Sequence, residues 1–96
     1  LAVGNTNEQD RKSGSSTHGN WVDVGAPGSG ILSTYVGGTA AYANLSGTSM
    51  ACPLVAGAAG LLFSYSPSST NADVRRALET STDPVVGNNP ATGQPW

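Results

Sequence analysis

The stretch that decides the fold is GTSMACPLVAGAAGLL, residues 47–62, where a polar Gly-Thr-Ser opens the most apolar part of the chain. Apolar side chains recur at helical spacing from here onward, which predicts a helix from 49 to about 64. Its apolar positions are Val55, Ala58, Leu61, Leu62 and Tyr65. They fall on all sides of the helix, so we expect it to be buried within a larger structure.

Ser49 is predicted to lie in the first turn of this helix, where backbone N–H groups and the helix dipole favour negative charge. Two interpretations fit that position. Serine and threonine often cap helices by accepting a hydrogen bond from a free N–H group. A serine hydroxyl there is also suited to attack a carbonyl group, because the oxyanion that forms would be stabilised at this end of the helix.

The rest of the chain predicts short strands, a second helix and surface loops. Strands are expected in the apolar or alternating segments of 1–46, namely 1–6, 21–24, 31–36 and 42–45. A second helix is predicted over 72–80, capped by Thr70 or Asn71. Residues 81–96 contain three prolines and two glycines and are predicted to form a loop.

Composition excludes several classes of function. Four basic residues against six acidic ones give no surface for nucleic acid. The longest apolar run, Val55–Phe63, is too short to span a membrane, so no membrane partner is expected. Cys52 is the only cysteine, which excludes an internal disulfide, and it is interpreted as a small buried side chain. No cofactor is predicted.

The serine segment resembles a motif of a known enzyme family. GTSMACPLVAG is similar to the active-site motif G-T-S-M-A-x-P-x-V-A-G of the subtilisin-like serine proteases (subtilases, peptidase S8). WVDVGAPGSGILSTY resembles the V-D-V-x-A-P-G-x-x-I-x-S segment of that family, and LAVGNTN resembles the strand before it. The resemblance covers residues 1 to about 82. Leu54 departs from it, since the family usually has a histidine there, although not the catalytic one.

The resemblance implies an α/β fold with a mostly parallel sheet and helices on both faces, of which this chain would form the C-terminal-side portion. Ser49 would be the nucleophile and its own N–H an oxyanion donor. Thr48 and Met50 would support the site, and Gly47 would allow the substrate to approach closely. The implied activity is endopeptidase hydrolysis of protein or peptide substrates through an acyl-enzyme, in a secreted protein.

The partners of the serine are predicted to lie outside the chain. Asp10, His18 and Ser49 follow the family order Asp, His, Ser, but Asp10 lacks the D-T-G or D-S-G context. His18 lies in a variable loop with only thirty residues between it and Ser49, so it is interpreted as a solvated loop histidine. The catalytic Asp and His and the oxyanion Asn are therefore expected in a missing N-terminal part.

We therefore interpret residues 1–96 as a partial peptidase domain, truncated at both ends and incomplete as a domain. The isolated chain is expected to be inactive, because a serine hydroxyl needs an adjacent base. The alternative is an inert structural or interaction fragment. Asp23 lies in the V-D-V segment, near which some family members bind a cation. It is interpreted as an exposed strand acid and no metal is predicted, since hard cations need several converging oxygens.

Overall fold

The computed structural model describes residues 1–89 and 92–95 of the chain. Four short strands are followed by two helices, which makes the chain a mixed α/β structure as expected. In chain order the elements are β1 (Val3–Thr6), β2 (Val24–Pro27), β3 (Ile31–Thr34), β4 (Tyr42–Leu45), α1 (Thr48–Tyr65) and α2 (Asn71–Thr80).

β1 and β2 form a parallel pair in which Val3 lies beside Val24 and Thr6 beside Pro27. The prediction of a strand at 21–24 is wrong, because β2 begins only at Val24 and Trp21 is 63% exposed. The glycines and proline of GAPG, residues 25–28, favour an end of the strand at this point. Proline is nevertheless tolerated at the last position of β2, where the pairing with β1 stops.

β3 and β4 form a separate antiparallel hairpin that leads directly into α1. β4 coincides with the predicted 42–45, whereas β3 ends at Thr34 rather than at residue 36. The hairpin turns through Gly37 and Gly38, which both have positive φ. Glycine adopts that conformation without steric cost.

α1 packs against β1, β2 and α2 but is covered on one side only. Ala51 is its single buried residue, while Leu61 is 74% and Tyr65 90% exposed. The expectation that this helix is buried is therefore wrong within this chain. Its all-round apolar sequence needs cover that the described residues do not supply, and an exposed apolar surface of this kind is typical of an interaction surface.

By length and composition alone, α1 is also long and apolar enough to cross a membrane. The apolar run 55–63 is shorter than this helix, which also includes residues 48–54 and 64–65 and so reaches 18 residues. Core helices of soluble proteins meet the same criterion. The contacts of α1 with β1 and β2 are those of a core helix lying on a sheet.

α2 begins with a capping box, one residue before the predicted start. Thr70 Oγ1 accepts a hydrogen bond from the Asp73 N–H at 3.2 Å, and Asp73 Oδ2 accepts one from the Thr70 N–H at 2.9 Å. The hydrogen bond that the Asp73 carboxylate accepts from the Thr70 N–H, followed by its interaction with the Thr70 side chain, lowers the pKa of Asp73. Val74 is the buried residue of α2. The following segment is irregular as predicted, and its Pro90, Ala91 and Trp96 lie outside the described residues.

Asp23 is an exposed acid just before β2, and it links the start of the chain to α2. Its Oδ2 accepts a hydrogen bond from the Ala2 N–H at 2.7 Å and lies 3.2 Å from Nη2 of Arg75. The Ala2 hydrogen bond, followed by the charge of Arg75, lowers the pKa of Asp23. Within residues 1–89 and 92–95 no group of three His, Cys, Asp or Glu side chains converges on a possible metal.

The contribution of Asp23 to stability is expected to disappear on acidification. Because its pKa in the folded protein lies below the ordinary 3.8, the contribution is fully present above that value. It is lost as the pH falls through the lower, folded pKa. Arg75→Met should raise the pKa of Asp23 only part of the way to 3.8, since the Ala2 hydrogen bond remains, whereas Arg76→Met should leave it unchanged. NMR titration of the Asp23 carboxyl carbon measures both, and full recovery in Arg75→Met would contradict the prediction.

Candidate active site

Ser49 is the second residue of α1 and is exposed. Gly47 occupies the N-cap position, and no side chain caps the helix, so the interpretation of Ser49 or Thr48 as a helix cap is wrong. The Gly47 carbonyl accepts hydrogen bonds from the N–H groups of Met50 and Ala51 at 3.0 and 3.3 Å. The N–H of Ser49 precedes these in the first turn, where backbone donors have no intrahelical acceptor. Hydroxyl and N–H thus lie together at the positive end of α1.

Gly47 has a backbone conformation that favours glycine, with φ 156° and ψ 167°. Its N–H donates a 2.7 Å hydrogen bond to the Gly28 carbonyl. One residue earlier, Ser46 Oγ accepts a 2.8 Å hydrogen bond from the Gly30 N–H. The segment that follows β2 therefore fixes the point at which the chain enters α1.

Behind this segment lies Asn5 of β1, which is 1% exposed. Its Oδ1 accepts a 3.2 Å hydrogen bond from Ser29 Oγ, and its backbone N–H donates one to Ser16 Oγ at 2.8 Å. The Asn5 Nδ2 group is buried and has no hydrogen-bond partner among the described residues. The sequence reasoning missed Asn5, although an asparagine inside the apolar strand pattern LAVGNT was a signal, because such a residue is unfavourable in strands.

An open hollow of about 700 Å³ lies beside Ser49. It is formed by the first turns of α1 and the start of the chain, and its lining residues are Leu1, Val3, Thr48, Ser49, Cys52, Pro53 and Ala56. Of the other predicted site residues, Gly47 and Met50 are half-buried immediately around Ser49. The hollow has room for a substrate, but its described lining contains no His, Asp or Asn.

Cys52 is exposed in this hollow, one helical turn after Ser49. The expectation that it is buried is wrong, for the same reason as for α1 as a whole: this chain does not cover that side of the helix. Its thiol is expected to react with the disulfide reagent DTNB at a rate within about an order of magnitude of that in denaturant. The time course of absorbance of the released thiolate measures this rate, and its end point should correspond to one thiol per chain. Cys52→Ser serves as the blank. A strongly protected thiol would show that α1 is covered in solution.

His18 and Asp10 lie away from the hollow. His18 is exposed and lines a different cavity of about 240 Å³, which is formed by the loop between β1 and β2, those strands and residues 82–85. Asp10 has φ 54°, and its carbonyl accepts a 2.8 Å hydrogen bond from the Val86 N–H. The cavity that contains His18 does not include Ser49, which agrees with the interpretation of His18 as a loop residue rather than the partner of the serine.

Comparison with known proteins identifies relatives along the whole chain. It is 51% identical over 96 residues to thermitase of Thermoactinomyces vulgaris, and the aligned region covers all of this chain and 32% of thermitase. It is 48% identical over 89 residues to subtilisin E of Bacillus subtilis (strain 168), covering 93% of this chain and 23% of the relative. The crystal structure of a cold adapted subtilisin-like serine proteinase superposes with a TM-score of 0.75 at 39% identity, over 80% of this chain and 28% of that one.

The chain thus spans a third or less of the length of these relatives. The sequence profile of the subtilase family, Peptidase S8, matches residues 1–95. Together with the α/β arrangement, this profile and the relatives decide the classification. The chain belongs to the subtilase family.

Proposed function

We propose that this chain supplies the nucleophilic serine of a serine endopeptidase, and that Ser49 is that residue. The observation that carries the proposal is an exposed hydroxyl in the first turn of α1, at the edge of an open hollow. A buried Ser49 would have no access to a peptide carbonyl. Membership of the subtilase family supports the same chemistry, because relatives of the chain are serine proteases.

In the proposed reaction, Ser49 Oγ attacks the carbonyl carbon of a peptide bond while a histidine outside this chain accepts its proton. The negative charge that develops on the carbonyl oxygen is stabilised by the Ser49 N–H and the dipole of α1. Collapse of this intermediate releases the amine and leaves an acyl group on Ser49, which water then hydrolyses. Gly47 leaves room for the substrate, while Thr48 and Met50 support Ser49 on either side.

The chain is proposed to work only together with the missing N-terminal part of the same protease domain, in a secreted protein whose substrates are proteins or peptides. Two observations support the need for that part. The lining of the hollow described above lacks a general base, and the apolar surface of α1 is largely uncovered. The same observations favour the second candidate, in which the isolated chain is an inert structural or interaction fragment.

A fluorophosphonate, which reacts covalently with activated serines, tests both candidates. In one arm residues 1–96 replace the segment of thermitase that they match; in the other the chain is used alone. Peptide mapping by mass spectrometry should find one adduct, on Ser49, in the chimera and none in the isolated chain. Ser64→Ala, which removes another exposed serine of α1, should not change the labelling. A folded chimera without an adduct on Ser49 would refute the proposed function, and labelling of the isolated chain would refute its inactivity.

A further inference from the structure

We propose that Asn5 is a positioning residue for Ser49. Its buried amide fixes the turn at Gly28 and Ser29, and that turn holds Gly47 and with it the start of α1. The inference rests on the proposed function of Ser49, to which it adds a residue that does not touch the substrate. It concerns three segments that are distant in sequence: β1, the turn after β2, and the entry to α1.

The first step is the contact between Asn5 and the turn. Asn5 Oδ1 accepts the 3.2 Å hydrogen bond from Ser29 Oγ. A Cβ atom placed on Gly28 would lie 2.6 Å from Asn5 Oδ1 and 2.8 Å from Asn5 Cγ, so the amide lies directly against the backbone of Gly28. Real Cβ atoms do not approach other atoms this closely. Any shift of the Asn5 side chain therefore changes its packing against the Gly28 backbone.

The second step leads from the turn to the serine. The Cβ atom placed on Gly28 would also lie 2.6 Å from the Gly47 carbonyl oxygen. The Gly47 N–H donates its 2.7 Å hydrogen bond to the Gly28 carbonyl. Gly28 thus contacts Asn5 and Gly47 at once. Gly47 in turn provides the carbonyl that accepts the first hydrogen bonds of α1. The direction in which Ser49 presents its hydroxyl is set by these bonds, because it is only two residues further on.

The third step is the energetic cost of this arrangement. A buried N–H group without a partner, such as Asn5 Nδ2, is unfavourable for folding. An apolar side chain of the same branched shape, such as leucine, would avoid that cost. Buried polar groups without a partner are rare in native proteins, so the presence of one calls for an explanation. A role in setting the geometry of Ser49 explains why an amide lies here.

The test uses the thermitase chimera with Asn5→Leu, Ser29→Ala and both together. Asn5→Leu and Ser29→Ala should each slow phosphonylation of Ser49 about tenfold or more, since small misplacements of reacting groups have large effects on rate. The rate of phosphonylation in the double variant should be no lower than in the slower single variant, because both substitutions act through one contact. The KM for a peptide substrate should change less than about twofold, so that the loss appears in kcat. Asn20→Leu, at an exposed loop position, is the control.

A second measurement does not depend on activity. Hydrogen exchange of the Gly47 amide should be at least about tenfold faster in Asn5→Leu, while the Val74 amide in α2 should exchange as before. The inference is overturned if Asn5→Leu labels at the unmodified rate, or if exchange at Gly47 is unchanged. Failure of the unmodified chimera to label would refute the proposed function alone, and the exchange of Gly47 would still decide on the role of Asn5.

Discussion

Replacing Ser49 by alanine is expected to lower kcat for peptide hydrolysis on the order of 10⁶-fold, as found for the nucleophile of subtilisin, a relative of this chain. The substitution removes the atom that forms the acyl bond, and the neighbouring thiol of Cys52 lies one turn further along α1. Because Ser49 is exposed and does not cap the helix, the thermal midpoint should change little. Release of a chromogenic leaving group by the thermitase chimera measures the rate.

Two controls make this result specific. Ser64→Ala changes another exposed serine of the same helix and should keep full activity. Ser49→Cys replaces the hydroxyl at this position by a thiol. Fluorophosphonate labelling should therefore be lost, and alkylation by iodoacetamide should appear at position 49. Retention of more than about one per cent of the activity by Ser49→Ala would show that another residue performs the attack, since loss of a nucleophile removes far more than that.

The helices were predictable from the sequence because the signals that define them are local. Apolar spacing predicted one helix at 49–64, and the structure extends it by a single residue at each end. Thr70 and Asp73, three residues apart, define the start of α2 through a capping box. Such hydrogen bonds and spacings operate within one or two helical turns.

The strands and the burial were less predictable, because both depend on segments distant in the chain. β2 exists through its pairing with β1, which outweighs the glycine and proline within it. Apolar sequence indicates what α1 would bury if it were covered, and Leu61 and Tyr65 show that this chain does not cover it. Asn5 was missed for the same reason: its partner Ser29 lies 24 residues away. The motif pointed to Ser49, and the contacts that position it emerged only from the fold.

Gly28→Ala is expected to lower both the stability of the protein and the reactivity of Ser49. The added Cβ would stand 2.6 Å from both Asn5 Oδ1 and the Gly47 carbonyl oxygen. The Gly47 carbonyl belongs to the backbone at the entry to α1, so it cannot move without moving the helix. Overpacking of this kind costs about 1–3 kcal/mol or more of the free energy of unfolding. A shifted helix entry should also slow phosphonylation of Ser49 by about 100-fold.

Urea unfolding of the chimera measures the first effect, in a Ser49→Ala background that prevents self-digestion. Gly14→Ala is the matched control, because nothing lies within 4 Å of the Cβ it would add. The decisive variant is Gly28→Ala combined with Asn5→Ala. Two of the three close atoms belong to Asn5, so removing its amide should restore part of the stability. The clash with the Gly47 carbonyl remains, so the slow phosphonylation should persist. Full recovery of both the stability and the rate of phosphonylation would mean that Gly28 does not determine the position of Ser49 and acts through its contact with Asn5 alone.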